Sequence, residues 1–63
     1  MKIYGVINHR NEFIDTSNSE RGAKYYASIN GYARIGYRVE YNVVETHRKI
    51  DSGKWVKVDN NNN

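Results

Sequence analysis

The chain has 63 residues, no cysteine and no proline, and ten Lys plus Arg against seven Asp plus Glu give a net charge of +3. That length allows one domain near the lower limit for a core that folds without staples, and the missing cysteines exclude disulfides and thiolate metal sites. The basicity is mild and spread: residues 1–31 hold four basic and three acidic groups, residues 32–63 six and four, which excludes a polyelectrolyte tail.

Residues 1–8 are too short and too polar-flanked for a signal peptide, and no apolar run approaches the roughly 18 residues of a membrane span. The expectation is a cytoplasmic protein without membrane contact. Homodimerisation stays open, because association is a common source of stability at this size.

Lys2 to Asn8 reads as a first strand, with Ile3, Gly5 and Ile7 on one face and Tyr4 and Val6 on the other. His9-Arg10-Asn11 is the loop, and the chain returns through Glu12-Phe13-Ile14-Asp15. Ser17 and Glu20 then have capping-box spacing, and Gly31 suits the left-handed position after a helix. Between them Gly22, Ala23, Tyr26, Ala27 and Asn30 form one stripe, flanked by Tyr25 and Ile29. The small residues allow the helix to sit close to a sheet, with Gly5 offering room from the strand side. Glu20, Arg21, Lys24 and Ser28 make the solvated face.

From Ala33 the period changes to two. Ile35, Tyr37, Val39, Tyr41 and Val43 point one way, and Arg34, Gly36, Arg38, Glu40 and Asn42 the other. The slip at Val43-Val44 predicts a bulge or bend within one long strand. The chain continues from Glu45 to Ile50, turns at Asp51-Ser52-Gly53 and returns as Lys54 to Val58. The order is ββαββ: an α+β domain over residues 1–59, one helix on a four-stranded, mainly antiparallel sheet, followed by a disordered polar tail, 60–63.

No residue pattern points to catalysis. His9 and His47 lack metal-ligand spacing and read as a loop group and an exposed strand residue; no metal or other cofactor is implied. Ser17, Ser19, Ser28 and Ser52 have turn or helix explanations, and neither a nucleophile elbow nor a phosphate-cradling glycine loop occurs. Glu40 with Glu45, or Glu12 with Asp15, form the only evident carboxylate pairs. The expectation is a non-enzymatic binding module.

Two kinds of partner fit. For a nucleic acid, an open sheet face carrying Tyr4, Arg34, Gly36 and Arg38 would stack bases and hold phosphates, with Arg48, Lys49, Lys54, Trp55 and Lys57 added by the terminal hairpin. A loop at Asp51–Gly53 makes Lys49 and Trp55 cross-strand neighbours, which also suits a plain cation–π pair capping the core. For a protein, Tyr, Trp and Arg are the usual anchors. Six tyrosines exceed what so small a core needs; Tyr25 and Tyr26 cannot both point inward, and Tyr32 follows the helix-ending glycine. The candidate contacts are Tyr25, Tyr32, Arg34, Arg38, Lys49, Trp55 and Lys57. Charge placement discriminates: a nucleic-acid binder should bring Arg34, Arg38, Lys49 and Lys57 onto one contiguous surface.

The compact ββαββ pattern, the lack of cysteine and proline, the many Tyr and Asn, and the run from Glu20 to Tyr26 leading into Asn30-Gly31-Tyr32 resemble the small accessory proteins of tailed bacteriophages. The resemblance implies a module acting in the bacterial host cytoplasm that binds and inhibits or modulates a host macromolecule; the exposed tyrosines and the terminal hairpin make a protein the leading expectation for that partner, ahead of a nucleic acid. It carries no site residue across.

Overall fold

A computed structural model describes residues 1–58. In chain order it contains β1 (Ile3–Ile7), β2 (Phe13–Ser17), α1 (Glu20–Asn30), β3 (Arg34–Val39), β4 (Asn42–Lys49) and β5 (Trp55–Lys57). All neighbouring strands run antiparallel, in the order β2-β1-β3-β4-β5. The architecture is α+β, with α1 packed on β1, β2 and β3. The end of the domain at 59 and the tail over 60–63 lie outside the described residues.

The fifth strand arises inside the segment expected to be one long strand. Glu40 takes a left-handed φ of 56° and the chain reverses at Glu40-Tyr41. The period-two pattern runs straight through this turn, which hides it in the sequence. Because the chain folds back there, Val43 lies opposite Arg38 and shares its face, not that of Ile35 and Tyr37.

The expected slip at Val43-Val44 is also displaced. The register changes where Gly36 faces Glu45 while Ile35 faces His47, so Thr46 is the extra residue. A matching irregularity joins β1 and β2: Gly5 faces Asp15 while Tyr4 faces Ser17, leaving Thr16 extra. Thr16 Oγ1 donates to the Tyr4 carbonyl and Thr46 Oγ1 to the Ile35 carbonyl, each at 3.4 Å. The two hairpins thus repeat one device, a glycine opposite an acidic residue followed by threonine.

The core is Val6, Ala23, Ala27 and Ile35, all fully buried, with Tyr4, Ile14, Tyr26, Tyr32 and Trp55 packed around it. Val6 and Ile35 are partners across β1 and β3, and the small Ala23 and Ala27, one turn apart, let the helix descend onto them. The buried face of β1 is therefore the one bearing Tyr4 and Val6. Gly5 lies on the far face and makes no room for the helix, and Tyr4 is not on the open face where a base-stacking role would need it.

The helix is capped two residues later than the capping box expected at Ser17. Ser19 is the N-cap: its Oγ accepts from the Gly22 N–H at 3.1 Å, while Ser17, the last residue of β2, uses its Oγ to accept from the Ser19 N–H at 3.2 Å. The stop is as expected, with Gly31 at φ 80° and the Tyr32 N–H donating to the Ala27 carbonyl at 2.9 Å. The 9–11 loop is organised by Asn8, whose Oδ1 accepts from the N–H groups of Arg10 and Glu12, both at 2.9 Å. The Asp51–Gly53 turn closes with Gly53 N–H donating to the Ile50 carbonyl at 2.8 Å.

Candidate binding surfaces

The sheet face away from the helix carries Phe13, Asp15, Ile3, Ile7, Arg34, Arg38, Val43, Glu45, Arg48 and Val56. Its arginines are engaged. Arg34 holds Glu45 through two nitrogens, Nε to Oε2 at 2.9 Å and Nη2 to Oε1 at 3.2 Å, and donates to Asn11 Oδ1 at 2.6 Å. Arg48 grips the same carboxylate at 2.7 and 3.2 Å. Arg38 reaches across β1 to Asp15, with bonds of 2.9 and 2.7 Å, and donates a third to the Glu40 carbonyl at 3.0 Å.

Burial pushes the Glu45 carboxyl up, but the Arg48 and Arg34 hydrogen bonds and charges outweigh it and bring the group from 4.5 to about 2. The Arg38 hydrogen bond likewise holds Asp15 below its ordinary value. Both carboxylates are charged at neutral pH, so Asp15 balances Arg38, while Glu45 is shared between Arg34 and Arg48 and offsets one of their two charges.

The helix-side face is covered only in part. Beyond α1 it shows His47 opposite Lys57 and Lys49 opposite Trp55. The expected pairing of Lys49 with Trp55 is present: the Lys49 ammonium stands 5.0 Å from the Trp55 ring centroid, and that ring packs on the core. Between the start of α1 and this hairpin lies a cleft of about 360 Å³, lined among others by Lys2, Tyr4, Glu20, Tyr37, His47 and Lys57. Tyr4 and Tyr37 meet there at 5.8 Å with rings tilted by 60°, and the Lys2 ammonium sits 4.4 Å over Tyr37. His47 is mostly buried, its Nδ1 3.0 Å from Thr46 Oγ1 and its Nε2 3.8 Å from Glu20, beyond hydrogen-bond range. The expected exposed His47 is thus a cleft residue.

Of the two adjacent helix tyrosines, Tyr25 is 68% exposed and Tyr26 turns inward. Tyr32 stacks on Tyr26 at 6.1 Å and is half-buried rather than freely offered. The sequence-selected residues therefore do not converge. Arg34 and Arg38 occupy the open face; Lys49, Trp55 and Lys57 the helix side; Tyr25 stands on the outer surface of α1. Sequence reasoning does not group Lys2, Tyr37, Glu20 and His47, because the β1–β3 pairing, the seat of α1 and the register shift that turns His47 to the helix side bring them together only in the fold.

Among the described residues no group of three or more His, Asp or Glu is placed to hold a metal ion. No helix among them is long and apolar enough to cross a membrane. Comparisons with protein-family models, curated proteins and solved structures returned no match.

Proposed function

We propose that this chain is a non-enzymatic module that binds a protein partner, and that, as the resemblance to phage accessory proteins implies, the partner is a host protein whose activity it inhibits or modulates in the host cytoplasm. One observation carries the preference for protein. The four cations that a nucleic-acid surface would need together are divided, Arg34 and Arg38 on the open face and Lys49 and Lys57 on the helix side, and the first two already hold Glu45 and Asp15. A polyanion gains affinity by replacing counterions at several adjacent cations, and two of the three guanidinium charges on the open face are already balanced by Asp15 and Glu45. The aromatic and aliphatic groups on the helix side and the outer surface of α1, Trp55, Tyr25 and Ile29, are the side-chain types that anchor protein interfaces.

One feature favours the alternative. Lys49 over Trp55, with Lys57 on the same face, is a stacking-plus-phosphate arrangement that suits a single strand. Chemical crosslinking and capture from bacterial lysate, with and without nuclease, separates the readings. A discrete protein retained after nuclease supports the proposal. Recovery that collapses with nuclease overturns it and turns attention to the Lys49–Trp55 pair.

A further inference from the structure

We infer that the cleft between the start of α1 and the β4–β5 hairpin seats an acidic segment of the protein partner, laid over β3 and β4 with one carboxylate toward Lys2 and another toward Lys57; this rests on the protein-binding reading above. The place is set by where the helix leaves the sheet uncovered. Helix α1 lies on β1, β2 and β3. Past its start the helix-side surface continues as Tyr37, Val44 and His47, which floor the cleft, with Lys2 on the β1 side and Lys57 on the β5 side.

Charge selects the occupant. Among the described residues neither Lys2 nor Lys57 has an ion-pair partner. Glu20 is the one carboxylate in the lining, and it already lies 3.5 Å from the Lys24 ammonium. The Tyr37 ring holds the Lys2 ammonium over the floor at 4.4 Å, but a ring quadrupole carries no net charge and leaves the cation unbalanced. The two lysines start from strands three spacings apart in the sheet, about 14 Å, and Lys2 reaches one strand inward to Tyr37. They therefore suit two carboxylates of one segment better than a single one. Side chains at i and i+2 of an extended chain point the same way about 7 Å apart, and the stems of two glutamates there would cover Tyr37 and Val44.

His47 favours a peptide over a polyphosphate. Thr46 Oγ1 donates to the Ile35 carbonyl and so accepts from the His47 Nδ1–H, at 3.0 Å. In the neutral ring Nε2 is then an acceptor, and Glu20, 3.8 Å away, is an acceptor as well. A peptide laid in the cleft supplies a backbone N–H to this pair. A phosphodiester chain has none to give.

The test is a titration followed by backbone amide spectra, using a peptide of alternating Glu and Ser. Its Gln-Ser and Lys-Ser counterparts and an oligothymidylate of equal charge run beside it. The Glu-Ser peptide alone is expected to bind, moving the amides of Tyr37, Val44 and His47. Lys2→Ala and Lys57→Ala should each weaken it about threefold, and together about tenfold, the scale of exposed charge pairs. Arg10→Ala, in the exposed 9–11 loop past the other end of β1, loses the same charge and should keep wild-type affinity. The same spectra report whether each variant is folded. No binding of the Glu-Ser peptide, equal binding of either counterpart, or tighter binding of the oligothymidylate would overturn the assignment. So would equal losses in Arg10→Ala and the lysine variants, or shifts confined to Arg34, Arg38 and Val43. The same shifts arising without peptide as the protein is concentrated would give the cleft to a second copy, and overturn it too. A nuclease-resistant protein captured equally by wild type and by the Lys2→Ala, Lys57→Ala double variant sinks the cleft and leaves the protein-binding reading intact. Capture by wild type that disappears with nuclease sinks that reading itself.

Discussion

Gly5 and Gly36 are direct partners across the central β1–β3 ladder, and each also faces an acidic residue on its outer side, Asp15 and Glu45. The row Asp15–Gly5–Gly36–Glu45 crosses four strands of the open face with no side chain at its centre. Both glycines sit opposite the extra threonine of their own hairpin, where the bulged strand crowds inward. A Cβ at Gly5 would run into the Ile14 carbonyl, and one at Gly36 into the Val44 carbonyl.

Gly5→Ala and Gly36→Ala should therefore each destabilise the fold by roughly 2–3 kcal/mol, since backbone rather than a side-chain tip must yield. Urea midpoints measure this. The double variant should cost less than the sum, because a shift of the ladder that relieves one site is shared with its direct partner. Tolerance of either alanine would mean that the bulges relax freely.

The acid limb of stability should lie between about pH 4.5 and about pH 2. Glu45 is held down at about 2 against an ordinary 4.5, and Asp15 is held below its ordinary value. A carboxylate depressed in the folded state contributes fully above its unfolded value, and the contribution disappears as pH falls through the folded one. Glu45→Gln should flatten that limb and leave the slope near neutrality unchanged. Chemical denaturation at stepped pH is the check. A limb of equal steepness in the variant would assign acid sensitivity to other groups.

The punctuation of the chain was legible from sequence: Gly31 marks the helix end, Asp51–Gly53 the last turn, and the 9–11 loop the first. What escaped was which way the strands face. The alternation from Ile35 to Val43 is clean, yet a turn at Glu40-Tyr41 interrupts it, because Glu and Tyr are not turn-forming types and give no break signal. Each bulge then inverts the faces beyond it. A signal for the bulges does exist, in glycine followed ten and nine residues later by an acidic residue and threonine, Gly5 with Asp15-Thr16 and Gly36 with Glu45-Thr46. It becomes readable only once the pairing is known. The arginines were rightly placed together on one face, but their charge was not free, since Asp15 and Glu45 arrive from other strands.

The two serines at the start of α1 separate by mutation. Ser19→Ala removes the oxygen that accepts the Gly22 N–H and should cost about 1 kcal/mol, the usual scale of an N-cap. Ser17→Ala loses only the 3.2 Å bond from the Ser19 N–H, a group close to solvent, and should cost roughly half as much or less. Thermal melts of the two variants decide the order. A larger loss at Ser17 would restore that residue as the true cap.

Trp55 is the only tryptophan in the chain, so its emission reports the terminal hairpin without labelling. The ring packs on the core along one side and carries the Lys49 ammonium 5.0 Å away. Trp55→Ala removes both support and anchor and confounds the two. Trp55→Phe keeps an aromatic plane on the core while reducing its area and its attraction for the cation. It should leave the fold intact by circular dichroism and weaken partner capture by about 1 kcal/mol, the lower bound of an interface anchor. In the wild type, partner binding should shift the Trp55 emission to shorter wavelength as the hairpin loses water. Unchanged capture together with unchanged emission would show that the hairpin lies outside the interface, and would move the site to Tyr25 and Ile29 on the outer surface of α1.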